Sequence, residues 1–394
     1  MKKKILIVNH SSDLFGGAND DFTRILKYFR KHRDKYHIFG LFPEGPNAKH
    51  FSNLCDEWKT YSPAFFPVTT DNLRDYAGYV KFYFVQRREV RRLIRDGNFD
   101  LCILNVVVML WFALWARKKI NTLIFIRECI LPDSLRKLYY RIISGFGDYF
   151  IAVSKLLEED YVEITGKNNI STLYSAIEND NSHENYSDSW KKLLDSKSLN
   201  ELNELKVPVF LCLGSLTDRK NQMLILKAFR ILSSKKLKTM PHILFIGGNP
   251  DSPYGNSLKE YVDKNELSKF CHFIGEAKRE YFYNFLPKAA GIIISSTSEG
   301  LPLVISEAFR FEVPLITTNV GGISDIVSDE YNGLIIENDA DSLARSVIRL
   351  LDDENLVQTL IKSGRKTFDD KLNLESNLQE FGKIVDQVIS YKKK

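Results

Sequence analysis

The 394-residue chain is 44% hydrophobic and 27% charged, which excludes a disordered, collagen-like or small disulfide-stapled protein and allows more than one buried core. At about 150 residues per domain, its length predicts two or three domains. The 55 basic and 50 acidic residues leave a net charge of +5, and the excess is local: residues 1–186 hold 27 basic and 22 acidic residues, residues 187–394 hold 28 of each.

The chain opens with Met1-Lys-Lys-Lys4, Ile5-Leu-Ile-Val8 and the polar Asn9-His-Ser-Ser-Asp13. This lacks the apolar core and cleavage site of a signal peptide and reads as a buried first strand. From there short aliphatic runs alternate with longer amphipathic stretches, the pattern of βαβ units around parallel sheets. The first series of strands is expected at Ile5–Val8, Tyr36–Phe42, Leu101–Leu104, Leu123–Ile126 and Tyr149–Val153. The longest apolar run, Val106–Ala116, has 11 residues, short of the ~20 needed to span a bilayer. Residues 178–206 are dense in Asn, Ser, Asp and Lys, which suits a connection between domains. The second series follows at Val209–Leu213, His242–Ile246, Cys271–Ile274, Gly291–Ser295, Pro314–Thr318 and Gly333–Ile336, with helices at Met223–Ser233, Arg279–Ala289 and Ser342–Leu351. The expected division is a first domain over 1–185, a linker over 186–206 and a second domain over 207–374, with a final helix at about 375–394 packing back on the first. Two such domains are expected to face each other across a ligand-binding cleft.

Five cysteines (Cys55, Cys102, Cys129, Cys212, Cys271) form no CxxC pair and show no zinc-site spacing. They read as reduced cytosolic thiols.

The richest stretch for chemistry is Ser295-Ser-Thr-Ser-Glu299-Gly-Leu-Pro-Leu-Val-Ile-Ser-Glu307-Ala308. It follows a strand, so it lies where open α/β sheets bind ligands. Gly300 permits close backbone approach, Pro302 suits a helix start, and a helix over Leu303–Phe311 would offer its first amides to an anion. Glu299 and Glu307 could each accept hydrogen bonds from ligand hydroxyls; alternatively, Glu299 only complements the helix dipole and Glu307 is a solvated helix residue.

Here the sequence resembles the retaining GT-B glycosyltransferases of family 4, the glycosyl transferases group 1. The likeness centres on Glu299-x7-Glu307 and continues through Val313-Pro-Leu-Ile-Thr-Thr-Asn-Val-Gly-Gly322 and Tyr331-Asn-Gly-Leu-Ile335, strongly over residues 207–352 and weakly in the first half. It implies an α/β GT-B fold of two Rossmann-like domains, with a nucleotide-diphosphate sugar as donor and no cofactor or metal. By the same resemblance, Glu299 would contact the donor sugar, with Gly300, Leu301, Pro302 and Leu303 near sugar and diphosphate. Glu307 would hold the ribose, and Ile274 and Gly275, in Phe273-Ile-Gly275, would border the base. In Gly214-Ser-Leu-Thr-Asp-Arg-Lys-Asn221, Lys220 fits the family's lysine, whereas Ser215 stands where the family has arginine. Arg219 either supplies that missing charge or points to solvent. In the first half, Gly16 and Gly17 match the loop that borders the acceptor and the transferred sugar. In Phe125-Ile-Arg127-Glu128-Cys129, Arg127 stands where many members carry a histidine. Arg127 cannot act as a base near neutral pH; it could stabilise the leaving phosphate, bind an anionic acceptor, or pair structurally with Glu128. Asp339-Ala-Asp341 spells DxD but reads as a helix cap rather than a metal site.

Arg74–Arg95 carries seven basic and two acidic residues interleaved with aromatics. A solvated helix face or a contact with an anionic membrane surface would account for it; no nucleic-acid motif accompanies the charge. The expected function is sugar transfer to a glycan or lipid-linked acceptor in bacterial surface polysaccharide synthesis, in the cytoplasm or at the inner face of its membrane. The alternatives are a GT-B epimerase or phosphorylase, or an inactive nucleotide-sugar-binding protein.

Overall fold

The computed structural model describes residues 2–12, 17–61, 87–107, 109–128, 133–178, 207–277, 282–283 and 285–391. The chain divides into two units: Met1–Ser175 with Glu375–Lys394, and Ala176–Leu374.

The first unit is a seven-stranded parallel sheet in the order β3-β2-β1-β4-β5-β6-β7. Its strands are β1 (Lys3–Val8), β2 (Tyr36–Pro43), β3 (Glu57–Tyr61), β4 (Leu101–Leu104), β5 (Asn121–Ile126), β6 (Tyr149–Ala152) and β7 (Ile170–Thr172). The helices are α1 (Gly17–Lys31), α2 (Ala48–Ser52), α3 (87–96), α4 (Leu110–Ala116), α5 (Asp133–Ile143) and α6 (Lys155–Thr165). The central strands read as unbroken aliphatic runs because helices cover both faces of a parallel sheet: Ile5, Leu6, Ile7 and Val8 are all buried. In register, Ile5 lies opposite Ile38 on one side and Leu101 on the other. The strands missing from the sequence reading are β3 and β7, the two edges of the sheet. β3 is Glu-Trp-Lys-Thr-Tyr with its first three residues exposed, so half-solvated pairing replaces the apolar run that marks an inner strand.

The C-terminal helix Leu374–Ile389 completes this core by burying Phe381, Ile384, Val385 and Val388 beside Phe29 and Ile25. The Phe381 and Phe29 ring centroids lie 5.7 Å apart. The Asn121 amide donates to the carbonyls of Val388 and Tyr391, both at 2.9 Å, and the Tyr36 hydroxyl donates to Asp386 at 2.7 Å. Each apolar side chain buried there contributes roughly 1.5–3 kcal/mol.

The second unit is a six-stranded parallel sheet in the order β10-β9-β8-β11-β12-β13. Its strands are β8 (Val209–Leu213), β9 (His242–Ile246), β10 (Cys271–Gly275), β11 (Gly291–Ile294), β12 (Leu315–Thr318) and β13 (Leu334–Ile336), and helices at Gln222–Ser233, Pro253–Lys264, Leu303–Arg310, Ala340–Asp352 and Glu354–Lys371 cover it. Of the helix expected over Arg279–Ala289, Phe282 is helical and Leu286–Lys288 form a 3-10 turn, where Pro287 lacks the amide that a longer helix would use; residues 279–281 and 284 lie outside the described residues. Asp339 caps the helix Ala340–Asp352 by accepting from the Ser342 amide at 2.8 Å, which is the role read from its position. The segment expected to link the domains, 186–206, lies outside the described residues.

Strand order reverses beside β1 and beside β8, each of which has neighbours leading the chain in opposite directions. Such switch points open crevices at the carboxyl ends of the strands. No described helix is long and apolar enough to cross a membrane. Cys55, Cys102, Cys212 and Cys271 are buried and form no disulfide; burial pushes the thiols of Cys55, Cys212 and Cys271 up to about 12.

Candidate functional site

In the second unit, two loops leave the carboxyl ends of β8 and β11, which are neighbours in the sheet. They are tied to one another: the Thr297 amide donates to the Arg219 carbonyl at 2.8 Å, and the Ser295 hydroxyl to the Lys220 carbonyl at 2.8 Å. This pairing brings together three side chains that the sequence holds 79 and 80 residues apart. Lys220 Nζ lies 2.7 Å from Glu299 Oε1, and an Arg219 terminal nitrogen lies 3.1 Å from Glu299 Oε2. Arg219 also donates to the Ser298 carbonyl at 2.9 Å, so its guanidinium turns to this loop while the side chain keeps contact with water. The Glu299 side chain is 7% exposed, Lys220 16% and Arg219 45%. Burial alone would push the Glu299 carboxyl up, but the Lys220 and Arg219 charges outweigh it and hold the group below its ordinary value. The site therefore presents an ionised acid at its floor and two cations nearer to water.

Behind Glu299, the Gly300 carbonyl accepts from the Gly322 amide at 2.8 Å. Gly321, at φ +59°, has no room for a side chain, since a Cβ there would lie 1.8 Å from the Glu299 carbonyl oxygen. Gly300, Leu301, Pro302 and Leu303 are buried, and Pro302 precedes the helix Leu303–Arg310, whose first amides have no partner within the helix. Glu307 lies inside that helix and is buried, not solvated; the Tyr283 hydroxyl donates to it at 3.0 Å. Gly214 directly follows β8 with φ +139°. Ser215 is exposed, and its carbonyl accepts from the buried Gln222 amide at 2.8 Å. Ile274 and Gly275 sit in a bulge at the end of β10, and the Gly275 carbonyl accepts from the Gly247 amide at 2.7 Å. The donor-side residues read from the sequence thus share one edge of one sheet. Tyr283 and Gln222 were not legible, because each acts by holding another site residue. Gly247-Gly248, directly after β9, carried a signal in its position that went unread: a Cβ on Gly247 would approach the Gly214 carbonyl oxygen to 2.6 Å.

In the first unit, Gly17 opens α1, while Gly16 lies outside the described residues. Arg127 requires a correction, because its guanidinium is taken up by protein groups. Nε donates to the Asn105 carbonyl at 2.8 Å, one terminal nitrogen to Asn105 Oδ1 at 2.9 Å, and the other to Asp21 Oδ2 at 2.5 Å. Its ion-pair partner is therefore Asp21 on α1 and not Glu128, which is exposed. Asp21 also accepts from Ser175 at 2.8 Å and from Arg24 at 2.7 Å. Burial pulls Arg127 below its ordinary value against the opposing charge of Asp21, yet an arginine so placed stays cationic at neutral pH.

Among the described residues, no group of three or more His, Cys, Asp or Glu side chains is placed to hold a metal ion. The second-unit edge can accept hydrogen bonds from hydroxyls at two buried carboxylates and neutralise a diphosphate with two cations.

Residues 195–367 match the family described as glycosyl transferases group 1. An uncharacterized glycosyltransferase of Methanocaldococcus jannaschii is 30% identical over 139 residues, 35% of this chain and 39% of the relative. The UDP-Gal:alpha-D-GlcNAc-diphosphoundecaprenol alpha-1,3-galactosyltransferase of Escherichia coli is 26% identical over 185 residues, 46% of each chain. The chain thus spans less than half the length of these two relatives. Among solved structures, HepE of Anabaena in complex with UDP aligns with a TM-score of 0.75 at 15% identity, covering 98% of this chain and 100% of that one. Sucrose-phosphate synthase of Thermosynechococcus elongatus aligns with a TM-score of 0.76 at 19% identity, covering 99% and 100%. At such identities the likeness establishes the fold: GT-B, with two Rossmann-like α/β domains.

Proposed function

We propose that this chain is a retaining, metal-independent glycosyltransferase that moves a sugar from a nucleotide-diphosphate sugar to a glycan or lipid-linked acceptor in bacterial surface polysaccharide synthesis. The observation that carries the reading is Glu299, ionised, buried and held between Lys220 and Arg219 at a strand-end switch point. The donor diphosphate would take over the two cations, and a sugar hydroxyl would donate to the freed carboxylate. Catalysis would then rest on orientation and on stabilising the departing diphosphate. Glu307 would accept from the ribose hydroxyls, steadied by Tyr283, and Ile274 and Gly275 would border the base. Retention and the lack of a metal requirement carry over from the resemblance of Glu299-x7-Glu307 to its family. UDP in the HepE structure supports a nucleotide donor, and the Escherichia coli relative, named for a diphosphoundecaprenol acceptor, supports a lipid-linked one. Labelled-donor transfer assays test the assignment: Lys220→Ala and Glu299→Ala should each cut transfer about 100-fold or more. Transfer within twofold of wild type in both variants would remove this site from the chemistry.

The acceptor side is proposed to meet the cytoplasmic face of an anionic membrane. Of the basic stretch, residues 74–86 lie outside the described residues. Five arginines between Arg87 and Arg95, joined by Lys118 and Lys119, line a hollow of about 1000 Å³ with no carboxylate among its described lining residues. Co-sedimentation with phosphatidylglycerol vesicles should be strong at 50 mM salt and fall steeply by about 500 mM as the charges are screened; no binding at the lower salt would sink the idea.

The engagement of Arg127 by protein groups favours a second reading, a nucleotide-sugar-binding protein without turnover. Donor binding with no transfer to any acceptor in a broad panel would decide for it.

A further inference from the structure

Asn9, Asn105 and Arg127 are each the first residue beyond a strand, and their strands, β1, β4 and β5, are adjacent in the sheet. They form a polar chain along the sheet's carboxyl edge. Arg127 grips both oxygens of Asn105. The Asn105 amide donates onward to Asn9 Oδ1 at 2.7 Å and to the Ala18 carbonyl, in the first turn of α1, at 2.9 Å. Asn9 in turn donates to Asn19 Oδ1 at 2.9 Å. The third nitrogen of Arg127 reaches Asp21, one turn further along α1. One guanidinium therefore addresses α1 twice, directly through Asp21 and indirectly through Asn105. Its carbon lies 4.3 Å from the centre of the Phe125 ring, which fixes the plane of the fork. Its side chain is 6% exposed, so water has little access to stand in for a lost contact. A lysine would keep the charge opposite Asp21 but could not reproduce the planar fork on Asn105.

We propose that Arg127 is a positioning residue: by holding Asn105 and Asp21 together it fixes the first turns of α1, and with them Gly17, at the strand end where the acceptor would bind. The functional half of this inference rests on the glycosyltransferase reading; the structural half does not. Ser175, whose hydroxyl also meets Asp21, is the last residue before the chain leaves the first unit, so the same carboxylate secures the end of that unit's N-terminal segment.

The full-length chain tests both halves with Arg127→Lys and with the double variant Arg127→Met/Asp21→Asn, which removes both members of the pair together and leaves Arg24 opposite a neutral amide. In each, hydrogen exchange of the backbone amides of Ala18–Arg24 should quicken about tenfold or more. Acceptor KM should rise about tenfold, with kcat within about twofold and donor affinity unchanged, because a misplaced loop weakens acceptor binding more than chemistry on the donor. Unchanged exchange over Ala18–Arg24 would overturn the positioning role whatever the activity. A fall in kcat at constant KM would overturn it in favour of direct catalysis. If the wild-type chain transfers no sugar, the exchange comparison still decides the structural half, while the functional half falls with the glycosyltransferase reading.

Discussion

Both sheets carry an arginine–carboxylate pair at their carboxyl edge, and the two pairs differ in which partner water reaches. In the first unit, Arg127 and Asp21 are 6% and 13% exposed, and Asn105, Ser175 and Arg24 take up the hydrogen-bonding groups around them. In the second, the acid is at least as buried, but Arg219 is 45% exposed and Lys220 16%. A charge whose partners are all protein groups has its desolvation already offset and has little left for a ligand. A cation that keeps contact with water can exchange a carboxylate for a phosphate at small cost. The same residue types at the same end of the same kind of sheet thus serve structure in one unit and suit ligand binding in the other.

Unfolding measurements can break this contrast. Arg127→Met leaves Asp21 half-buried with Arg24 as its remaining cation, strips the buried Asn105 oxygens of their donor, and should cost about 3–5 kcal/mol in urea-unfolding free energy. Lys220→Met leaves Glu299 paired with Arg219 and should cost only about 1 kcal/mol. Equal losses would show that the second pair is as structural as the first. A smaller effect, in acid, would sharpen the contrast. The Glu299 carboxyl sits below its unfolded value of 4.5, so its ionised form contributes stability that is present above that pH and lost as pH falls through the lower folded value. Thermal melts between pH 6 and pH 3 should show this acid-side loss in wild type and a flatter profile in Glu299→Gln. Identical profiles would mean that Lys220 and Arg219 do not hold the carboxylate in solution.

Inner strands and the donor-side motif were open to reading from sequence for the same reason: each is a local run. β4, β8 and β9 match their expected bounds because buried parallel strands must be continuously apolar. β3 and β7 escaped because the first is mostly exposed and the second only three residues long, so neither makes an apolar run. Glu299 and Glu307 lie within one loop and helix, and the spacing between them is visible. That Lys220 meets Glu299 depends on β8 and β11 being neighbours, which no local pattern states. Arg127 was harder still. Its partners Asp21 and Asn105 lie 106 and 22 residues away, and single polar residues after strands have no periodicity to betray them. Its resemblance to a histidine position suggested chemistry, whereas its contacts belong to packing.

The C-terminal helix sets an order on how the protein can be made. Phe381, Ile384, Val385 and Val388 finish the first unit's core, yet they are synthesised after the whole second unit. A ribosome that has released Ser175 has therefore made an N-terminal sheet whose hydrophobic face is still open. The second unit is, in sequence, an insertion between the two parts of the first and holds its core within one uninterrupted segment. The second unit can thus fold during translation, whereas the first waits for the last helix.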